Sequence, residues 1–338
     1  MPPFPEMMKG VAITENGGTE VLHLREDLPV PKPADGEILI RNDFIGVNYI
    51  DTYFRSGLYK TSHWPYILGC ESEGTVVSLG TGDISDFRPG DRVVCFSQAT
   101  YAEYTVASAA RTAKIPAEVA AKIGAAALIQ GLTALTLVRD AHHVKKGDWV
   151  LVHAAAGGTG LWLCQLLRTI GATVIGTTST LEKAELAKQA GATYAVNSSR
   201  EDVLSTVHSL TDGKGVAVVF DGVGKSTFDI SMACVARKGS LVSFGNASGA
   251  VPPFAIARLS AKNVRLLRPT LGNYVATKEE FRRYTDELFQ YISTGDVNVR
   301  VHASYPLSRV AEAHMDLENR RTTGKLILDP SIQEGDRS

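Results

Sequence analysis

The sequence predicts an α/β chain in which a β-rich domain is followed by a doubly wound parallel sheet. Up to about residue 130, strand-like runs alternate with turns that carry glycine and proline, as at Pro29–Gly36 and Arg88–Gly90. Beyond that point, short apolar runs alternate with helical segments, which is typical of right-handed crossovers and parallel strands. A length of 338 residues suits two domains.

The first part predicts a compact antiparallel or barrel-like domain, because its strands are short and their connections are tight. Its strand-like runs are Gly10–Thr14, Glu37–Tyr49, Gly74–Leu79, Arg92–Phe96 and Ala102–Val106. A slightly interrupted helix is predicted over Ala117–Ala141, where the composition changes.

The second part predicts five strands that alternate with four helices. The strands are Trp149–Ala154, Thr173–Thr177, Tyr194–Asn197, Val216–Phe220 and Ser240–Phe244. The helices are Gly160–Ile170, Leu181–Ala190, Val203–Leu210 and Ser226–Cys234. The tail adds amphipathic helices at Lys278–Ser293 and Ser308–Asn319 and a strand at Lys325–Leu328.

Composition argues against several classes of protein. Lys plus Arg is 35 and Asp plus Glu is 36, so charge gives no reason to expect nucleic acid or an anionic membrane as the main partner. The four cysteines are far apart in sequence, which disfavours a disulfide framework or a zinc ribbon. Neither a signal segment nor an apolar run approaching 18 residues is present. We expect a cytoplasmic protein without a membrane partner, and a nuclear pool stays open.

The strongest chemical signal is a glycine-rich turn between a predicted strand and a predicted helix. Gly157, Gly158 and Gly160 follow the apolar run that begins at Trp149. Glycine lets the backbone approach a pyrophosphate, and the N–H groups and dipole of the helix N-terminus favour the anion. A glycine cluster alone is a weak signal, but the surrounding strand–helix pattern favours a dinucleotide site over a purely steric turn.

The next strand indicates which dinucleotide binds. A site for NAD usually has a carboxylate at the end of this strand, bonded to the ribose 2′-hydroxyl. The segment Ile175–Thr180 contains none, whereas Lys183 follows where a cation would meet a 2′-phosphate and Thr178 and Ser179 add hydroxyls. The pattern favours NADPH, and the missing acid is the stronger half of this argument.

Several longer stretches together resemble a known family over nearly the whole chain. They are Gly46–Tyr59, Gly131–Thr133, Ala154–Gly160, Ser243–Gly249 and Arg268–Pro269. The chain resembles the zinc-independent quinone oxidoreductases of the zeta-crystallin type, in the medium-chain dehydrogenase/reductase superfamily. The resemblance implies a GroES-like catalytic domain, residues 1–131 and 273–338, and a Rossmann domain, residues 132–272, that binds NADPH. It also implies a homodimer, for which we expect Gly239–Gly245 to be a pairing edge strand of the Rossmann sheet.

The resemblance also implies site residues, matched motif by motif. For catalysis and the substrate pocket they are Asn48, Tyr53, Tyr59 and Thr133. For NADPH they are Asn48, Asp51, Thr133, Gly157, Gly158, Thr159, Gly160, Thr178, Ser179, Lys183, Ser198, Phe244, Gly245, Asn246, Arg268, Leu271 and Arg320. Arg268 and Leu271 are expected to border the cofactor from the other lobe. Ser198 is a departure, because some relatives carry Tyr or His there.

The implied reaction is reduction of a quinone or another conjugated carbonyl compound by NADPH, without metal. The positions that would hold a catalytic zinc are Asn48, Cys70 and Ile129–Gln130, which form a poor ligand set. Cys70 is therefore expected to be a packed small residue. Two alternatives stay open. One is reduction of the double bond of a 2-alkenal or enone. The other is binding of AU-rich RNA, which is supported only by the short basic pairs Arg237–Lys238, Arg282–Arg283 and Arg320–Arg321.

Overall fold

A computed structural model describes residues 4–332, and this part of the chain divides into two compact units. The first unit contains residues 4–129, 277–293 and 299–332, and the second contains residues 130–276 and 294–298. Residues 294–298 return to the second unit, where the Asn298 N–H donates to Gln165 Oε1 at 2.8 Å. Both chain ends therefore contribute to the β-rich unit.

The first unit contains two sheets. Its strands are β1 Met7–Ile13, β2 His23–Pro29, β3 Glu37–Val47, β4 Tyr66–Ile67, β5 Glu71–Leu79, β6 Arg92–Phe96, β7 Tyr104–Ser108, β8 Thr112–Lys114, β15 Val301–Pro306 and β16 Lys325–Asp329. The small sheet has the order β2-β1-β4. The large sheet has the order β15-β16-β3-β5-β6-β8, with β7 also paired to β3. Its pairs are antiparallel except β15 with β16, which confirms the antiparallel prediction for most of the unit.

Helices α1 Tyr49–Arg55, α8 Lys278–Ser293 and α9 Val310–Glu318 also lie in this unit. Strand β3 is apolar on much of its length and leads directly into α1, so the loop at Asn48 starts from a buried strand. Val47 packs in a core cluster with Leu68, Tyr101 and Leu328. This packing holds the ends of three strands next to the first turn of α1.

The second unit is a six-stranded sheet in which every pair is parallel, as predicted. Its strands are β9 Trp149–Val152, β10 Thr173–Thr178, β11 Tyr194–Asn197, β12 Val216–Asp221, β13 Val235–Ser243 and β14 Arg265–Leu267. The strand order is β11-β10-β9-β12-β13-β14, so successive strands are added on one side of β9 up to β11 and on its other side from β12 onward. A ligand site is expected where the order reverses, outside the carboxyl ends of β9 and β12.

The helices of the second unit follow the predicted alternation. They are α3 Gly158–Ile170, α4 Leu181–Gln189, α5 Val203–Leu210, α6 Phe228–Cys234 and α7 Leu271–Tyr274. The apolar helix α2, Ile123–Thr136, crosses the division between the units and continues as a π-helical turn over Leu137–Ala141. The predicted start at Ala117 is wrong, because residues 117–122 form turns and the helix begins at Ile123.

The prediction that Gly239–Gly245 forms a sheet edge is also wrong. Strand β13 pairs with β12 on one side and with β14 on the other. The edge strand on this side of the sheet is Arg265–Leu267, a three-residue segment that the strand–helix pattern did not reveal. A strand that short gives little periodicity to detect in a sequence.

The segment Ile123–Ala141 is long and apolar enough to cross a membrane by length and composition. In the structure, 67 % of its most apolar window is buried within the protein. A core helix of a folded domain meets the same criteria, and the burial of this one explains its composition.

Candidate active site

The glycine-rich turn lies where the sheet order reverses, directly after β9. Gly157 is the N-cap of α3, and no side chain caps this helix. The first N–H groups of α3 have no acceptor within the helix, so they are available to an anion. A Cβ at position 160 would lie 2.3 Å from the Ala154 carbonyl oxygen, so only glycine permits this tight turn.

The neighbouring ends of β10 and β11 bring the predicted 2′-phosphate residues together. Thr178 pairs in register with Asn197, which places Ser198 beside it. Thr178 Oγ1 donates to the Thr180 carbonyl at 3.3 Å, and Ser198 Oγ donates to the Thr178 carbonyl at 3.0 Å. Each hydroxyl has a single hydrogen, so neither donates to a phosphate in this arrangement. Both residues shape the rim of the site.

Lys183 is the cation of this group. Thr180 is the N-cap of α4, and its Oγ1 accepts a hydrogen bond from the Lys183 N–H at 3.2 Å. The cap fixes the first turn of the helix that carries the half-buried lysine. The residues from Thr177 to Thr180 include no carboxylate, so the end of β10 lacks the group that would favour an unphosphorylated ribose.

A buried polar network supports this edge of the sheet. Ser231 Oγ donates to Asp221 Oδ2 at 2.8 Å and contacts His153 Nε2 at 3.0 Å. Because the serine hydrogen is used on Asp221, His153 Nε2 must carry the proton donated to Ser231. His153 Nδ1 then accepts from Thr177 Oγ1 at 3.0 Å. Burial lowers the pKa of His153, which agrees with a neutral ring.

The carboxylate of Asp221 also fixes the loop that follows β12. Its Oδ1 accepts from the N–H groups of Val223 at 2.8 Å and Gly224 at 3.0 Å, and from Thr227 Oγ1 at 2.8 Å. The network thus links the ends of three adjacent parallel strands, β9, β10 and β12. Asp221 and Ser231 were not among the predicted site residues, although a lone acid at the end of an apolar strand is a detectable signal.

The segment Phe244–Asn246 follows β13 at the same edge, and the Phe244 N–H donates to the Asp221 carbonyl at 2.8 Å. Arg268 Nη1 donates to the Ser243 carbonyl at 2.8 Å, which ties it to this segment. Arg268 and Leu271 therefore belong to the parallel-sheet unit, and the expectation that they reach the cofactor from the other lobe is wrong. Thr133 lies half-buried on α2, in the same unit.

In the β-rich unit, Asn48 is the N-cap of α1 and forms a capping box with Asp51. The Asn48 N–H donates to Asp51 Oδ2 at 2.8 Å. Asn48 retains 7 % exposure, whereas Asp51 is fully buried. A fully buried carboxyl offers no surface to a ligand, so the predicted cofactor contact of Asp51 is wrong and its role is to hold Asn48.

Asp51 is held in turn by a chain of buried donors. Tyr101 Oη donates to Asp51 Oδ2 at 2.8 Å and contacts His314 Nε2 at 3.1 Å, so this nitrogen carries the histidine proton. His314 Nδ1 then accepts from Arg55 Nη1 at 3.1 Å, and Arg55 pairs with Glu318 at 2.7 Å. Burial and the Arg55 charge lower the pKa of His314 to about 3, which keeps the ring neutral.

The predicted pocket tyrosines lie together. The ring centroids of Tyr53 and Tyr59 are 5.3 Å apart at an interplanar angle of 66°, an edge-to-face pair. Tyr53 is buried and also packs near Tyr49, so Tyr59 is the more exposed ring of the two. Arg320 lies after α9 in this unit, exposed and with a positive φ of 57°.

Two residues that were not predicted from the sequence form hydrogen bonds with the Asn48 side chain. Lys325 Nζ donates to Asn48 Oδ1 at 2.7 Å, and Asn48 Nδ2 donates to Glu71 Oε1 at 2.7 Å. Lys325 and Glu71 also form a fully buried ion pair. A single lysine at the start of an apolar strand was the available signal, since lysine is almost never fully buried without a partner.

Cys70 is more than a packed small residue. Its thiol is fully buried and donates to Asp51 Oδ1 at 3.3 Å. Burial and the neighbouring Asp51 charge raise the pKa of Cys70 well above its usual value, so the sulfur stays protonated. Among residues 4–332, no group of three or more His, Cys, Asp or Glu side chains is arranged to hold a metal ion.

Comparison with known proteins places the chain in a family. Residues 34–117 match the alcohol dehydrogenase GroES-like domain, and residues 158–290 match the zinc-binding dehydrogenase family. A quinone oxidoreductase of Pseudomonas aeruginosa is 41 % identical over 96 % of this chain and 100 % of its own length. The chain belongs to the quinone oxidoreductase family. This confirms the predicted family and the predicted pairing of a GroES-like with a Rossmann domain.

Two further relatives of this quinone oxidoreductase family member extend the comparison. The crystal structure of Escherichia coli quinone oxidoreductase complexed with NADPH has a TM-score of 0.91 and 39 % identity, and the match covers 95 % of this chain and 100 % of that one. A 2-haloacrylate reductase of a Burkholderia species is 34 % identical over 96 % of this chain and 99 % of its own length.

The second unit fits a phosphorylated dinucleotide. The helix N-terminus after β9 is uncapped, the turn is too tight for any residue but glycine at 160, and Lys183 follows a strand that ends without an acid. Gly157–Gly160 would hold the pyrophosphate and Lys183 the 2′-phosphate.

The three short basic pairs that would have to contact RNA lie in separate segments of the chain. Arg237–Lys238 lies in β13, and Arg282 on α8 pairs with Asp86 at 3.0 Å. Arg321, after α9, lies 3.4 Å from Asp316. Pairing with acids reduces the charge that these arginines offer to a polyanion.

The buried Asp51 predicts a pH dependence of stability. Burial raises its pKa from 3.8 to about 6 in the folded chain, so folding binds a proton between these values. The Asp51 contribution should therefore become less favourable as pH rises from 4 to 6, by up to about 3 kcal/mol.

Urea unfolding of the wild type and of Asp51→Asn at pH 4.5, 5.5 and 7 measures this contribution. The stability of the wild type relative to the variant should fall as pH rises. A difference that is constant or grows with pH would contradict the assignment.

Proposed function

We propose that this protein catalyses NADPH-dependent reduction of quinones. The observation that carries the proposal is the uncapped N-terminus of α3 behind a glycine turn, next to a strand end that bears Lys183 and no acid. It is supported by family relatives named quinone oxidoreductase at about the same length, one of them solved with NADPH. The protein is proposed to act in the cytoplasm.

When bound, NADPH supplies the hydride, so the protein's own residues bind, orient and exclude water. The amides of the α3 N-terminus and the Lys183 ammonium bind the phosphates. Asn48 offers a hydrogen bond to a ligand oxygen, and its backbone and side chain are both fixed by buried partners. Tyr53 and Tyr59 present an aromatic wall to a flat acceptor.

A second candidate is reduction of the double bond in an enone or 2-alkenal, because a relative of 34 % identity is a 2-haloacrylate reductase. NADPH oxidation with 1,2-naphthoquinone, 9,10-phenanthrenequinone and a 2-alkenal, tested side by side, distinguishes the two. We expect the quinones to give the higher kcat/KM, at least tenfold. If the protein turned over the alkenal and neither quinone, double-bond reduction would be its function in place of quinone reduction.

Lys183→Ala tests the cofactor assignment. Loss of a charged hydrogen bond to the 2′-phosphate should raise the Kd for NADPH about 10- to 100-fold and leave the Kd for NADH within about twofold. Quenching of protein fluorescence on titration measures both constants. Lys188→Ala, an exposed lysine on the same helix, is the matched control. An equal loss of affinity for both dinucleotides would refute the role of Lys183.

We propose that the protein is a homodimer that pairs through the exposed edge of the parallel sheet at Arg265–Leu267. Leu267 on this strand is exposed. Light scattering should give about twice the chain mass of 36.3 kDa for the wild type. Leu267→Lys should give the monomer mass because like charges would meet across a twofold axis, while Leu181→Lys on α4 should remain dimeric. A monomeric wild type would contradict the proposal.

A further inference from the structure

The amide of Asn48 is held in one orientation by a buried ion pair. Its Oδ1 accepts from Lys325 Nζ at 2.7 Å, and its Nδ2 donates to Glu71 Oε1 at 2.7 Å. An ammonium has no acceptor and a carboxylate has no donor, so rotating the amide by 180° would break both hydrogen bonds. The orientation of the Asn48 amide is therefore fixed before a ligand binds.

Neither charged partner is able to move away easily. Lys325 begins β16, which pairs with β3 just before Asn48, and Glu71 begins β5 on the other side of β3. The second carboxylate oxygen of Glu71 accepts from the Ile129 N–H at 2.7 Å. Both side chains are fully buried, so water does not compete for these bonds.

The second hydrogen of the Asn48 amide is only weakly held. Nδ2 carries two hydrogens, of which one lies on Glu71 and the other has only a long contact of 3.4 Å with the Gly46 carbonyl. A positive charge on Oδ1 withdraws electron density from the amide and makes the remaining N–H a stronger donor. A donor that is fixed before the ligand arrives stabilises negative charge at low reorganisation cost.

We propose that Lys325 is a positioning residue that fixes and polarises Asn48 as a hydrogen-bond donor for the carbonyl oxygen of the acceptor substrate. This deepens the proposed function and rests on it, since the oxygen is that of the quinone. The arrangement favours a ligand oxygen that accepts a hydrogen bond. Lys325 does not touch the substrate and acts through Asn48.

The alternative is that the ion pair serves stability alone, and the double variant Glu71→Gln/Lys325→Met separates the two roles. Lys325→Met alone leaves a buried carboxylate without its cation and should lower Tm strongly. Removing both charges together should restore most of Tm, because neutral replacements of a buried pair are often tolerated. A purely structural pair predicts that kcat recovers with Tm.

Our proposal predicts that kcat for 1,2-naphthoquinone stays about 10- to 100-fold low in the double variant. The Kd for NADPH should rise far less than kcat falls, because Gly157–Gly160 and Lys183, which would hold its phosphates, are unchanged. Glu71→Gln alone leaves the Lys325 ammonium buried without its anion and should also lower Tm, so kcat is compared in the stable double variant. A kcat near wild type in a stable double variant would overturn the proposal.

Lys262→Met is the matched control. The Lys262 ammonium is partly buried and donates to the carbonyls of Ala233 at 2.7 Å and Val235 at 3.0 Å, in the parallel-sheet unit. Its removal should leave kcat within about twofold of wild type. An equal loss of kcat in this variant would show that removal of any buried lysine ammonium suffices.

A readout without turnover keeps the test independent of the proposed activity. The side-chain amide of Asn48 is assigned by its disappearance from the ¹⁵N–¹H spectrum of Asn48→Asp. Its two hydrogens should be strongly inequivalent and exchange slowly in the wild type, and both features should be lost in the double variant. An unchanged amide signal in the double variant would refute the positioning role. A wild type with the expected amide signal but no quinone turnover would refute only the proposed function.

Discussion

Buried carboxylates that must collect hydrogen-bond donors organise both units. A carboxylate removed from water is costly unless donors surround it, so the chain around it loses its freedom to move. Asp51 gathers the Asn48 N–H, the Tyr101 hydroxyl and the Cys70 thiol. Asp221 gathers two loop amides and two hydroxyls. In each case the loop that is fixed carries or adjoins residues of the candidate site.

The two networks share a second device, a neutral histidine whose tautomer is set by its neighbours. In the β-rich unit, His314 takes a hydrogen bond from Arg55 and gives one to Tyr101. In the parallel-sheet unit, His153 takes one from Thr177 and gives one to Ser231. Each ring accepts one hydrogen bond and donates the next, so the donors in both networks point toward the carboxylate. Each buried group named in these two networks therefore has a hydrogen-bond partner. Both histidines therefore serve orientation rather than acid–base exchange.

The Asn48 region adds a third buried charge arrangement, in which an ammonium rather than a metal ion provides the local positive charge. Lys325 and Glu71 come from strands on the two sides of β3, and both reach the residue at its end. The chain matches a family described as zinc-binding dehydrogenases, yet the Cys70 thiol stays protonated and donates a hydrogen bond to Asp51. The polar side chains around Asn48 therefore form hydrogen bonds with one another.

The strand–helix alternation, the glycine turn, the missing acid after β10 and the family resemblance could all be predicted from the sequence. These features are local or lie in contiguous motifs, so periodicity and spacing reveal them. The folded structure was needed to show that Arg265–Leu267 is an edge strand, that Asp51 is a buried support, and that Lys325 binds Asn48 from 277 positions away. Strand pairing and burial join residues distant in sequence, and no local pattern records which distant partner a buried charge will find.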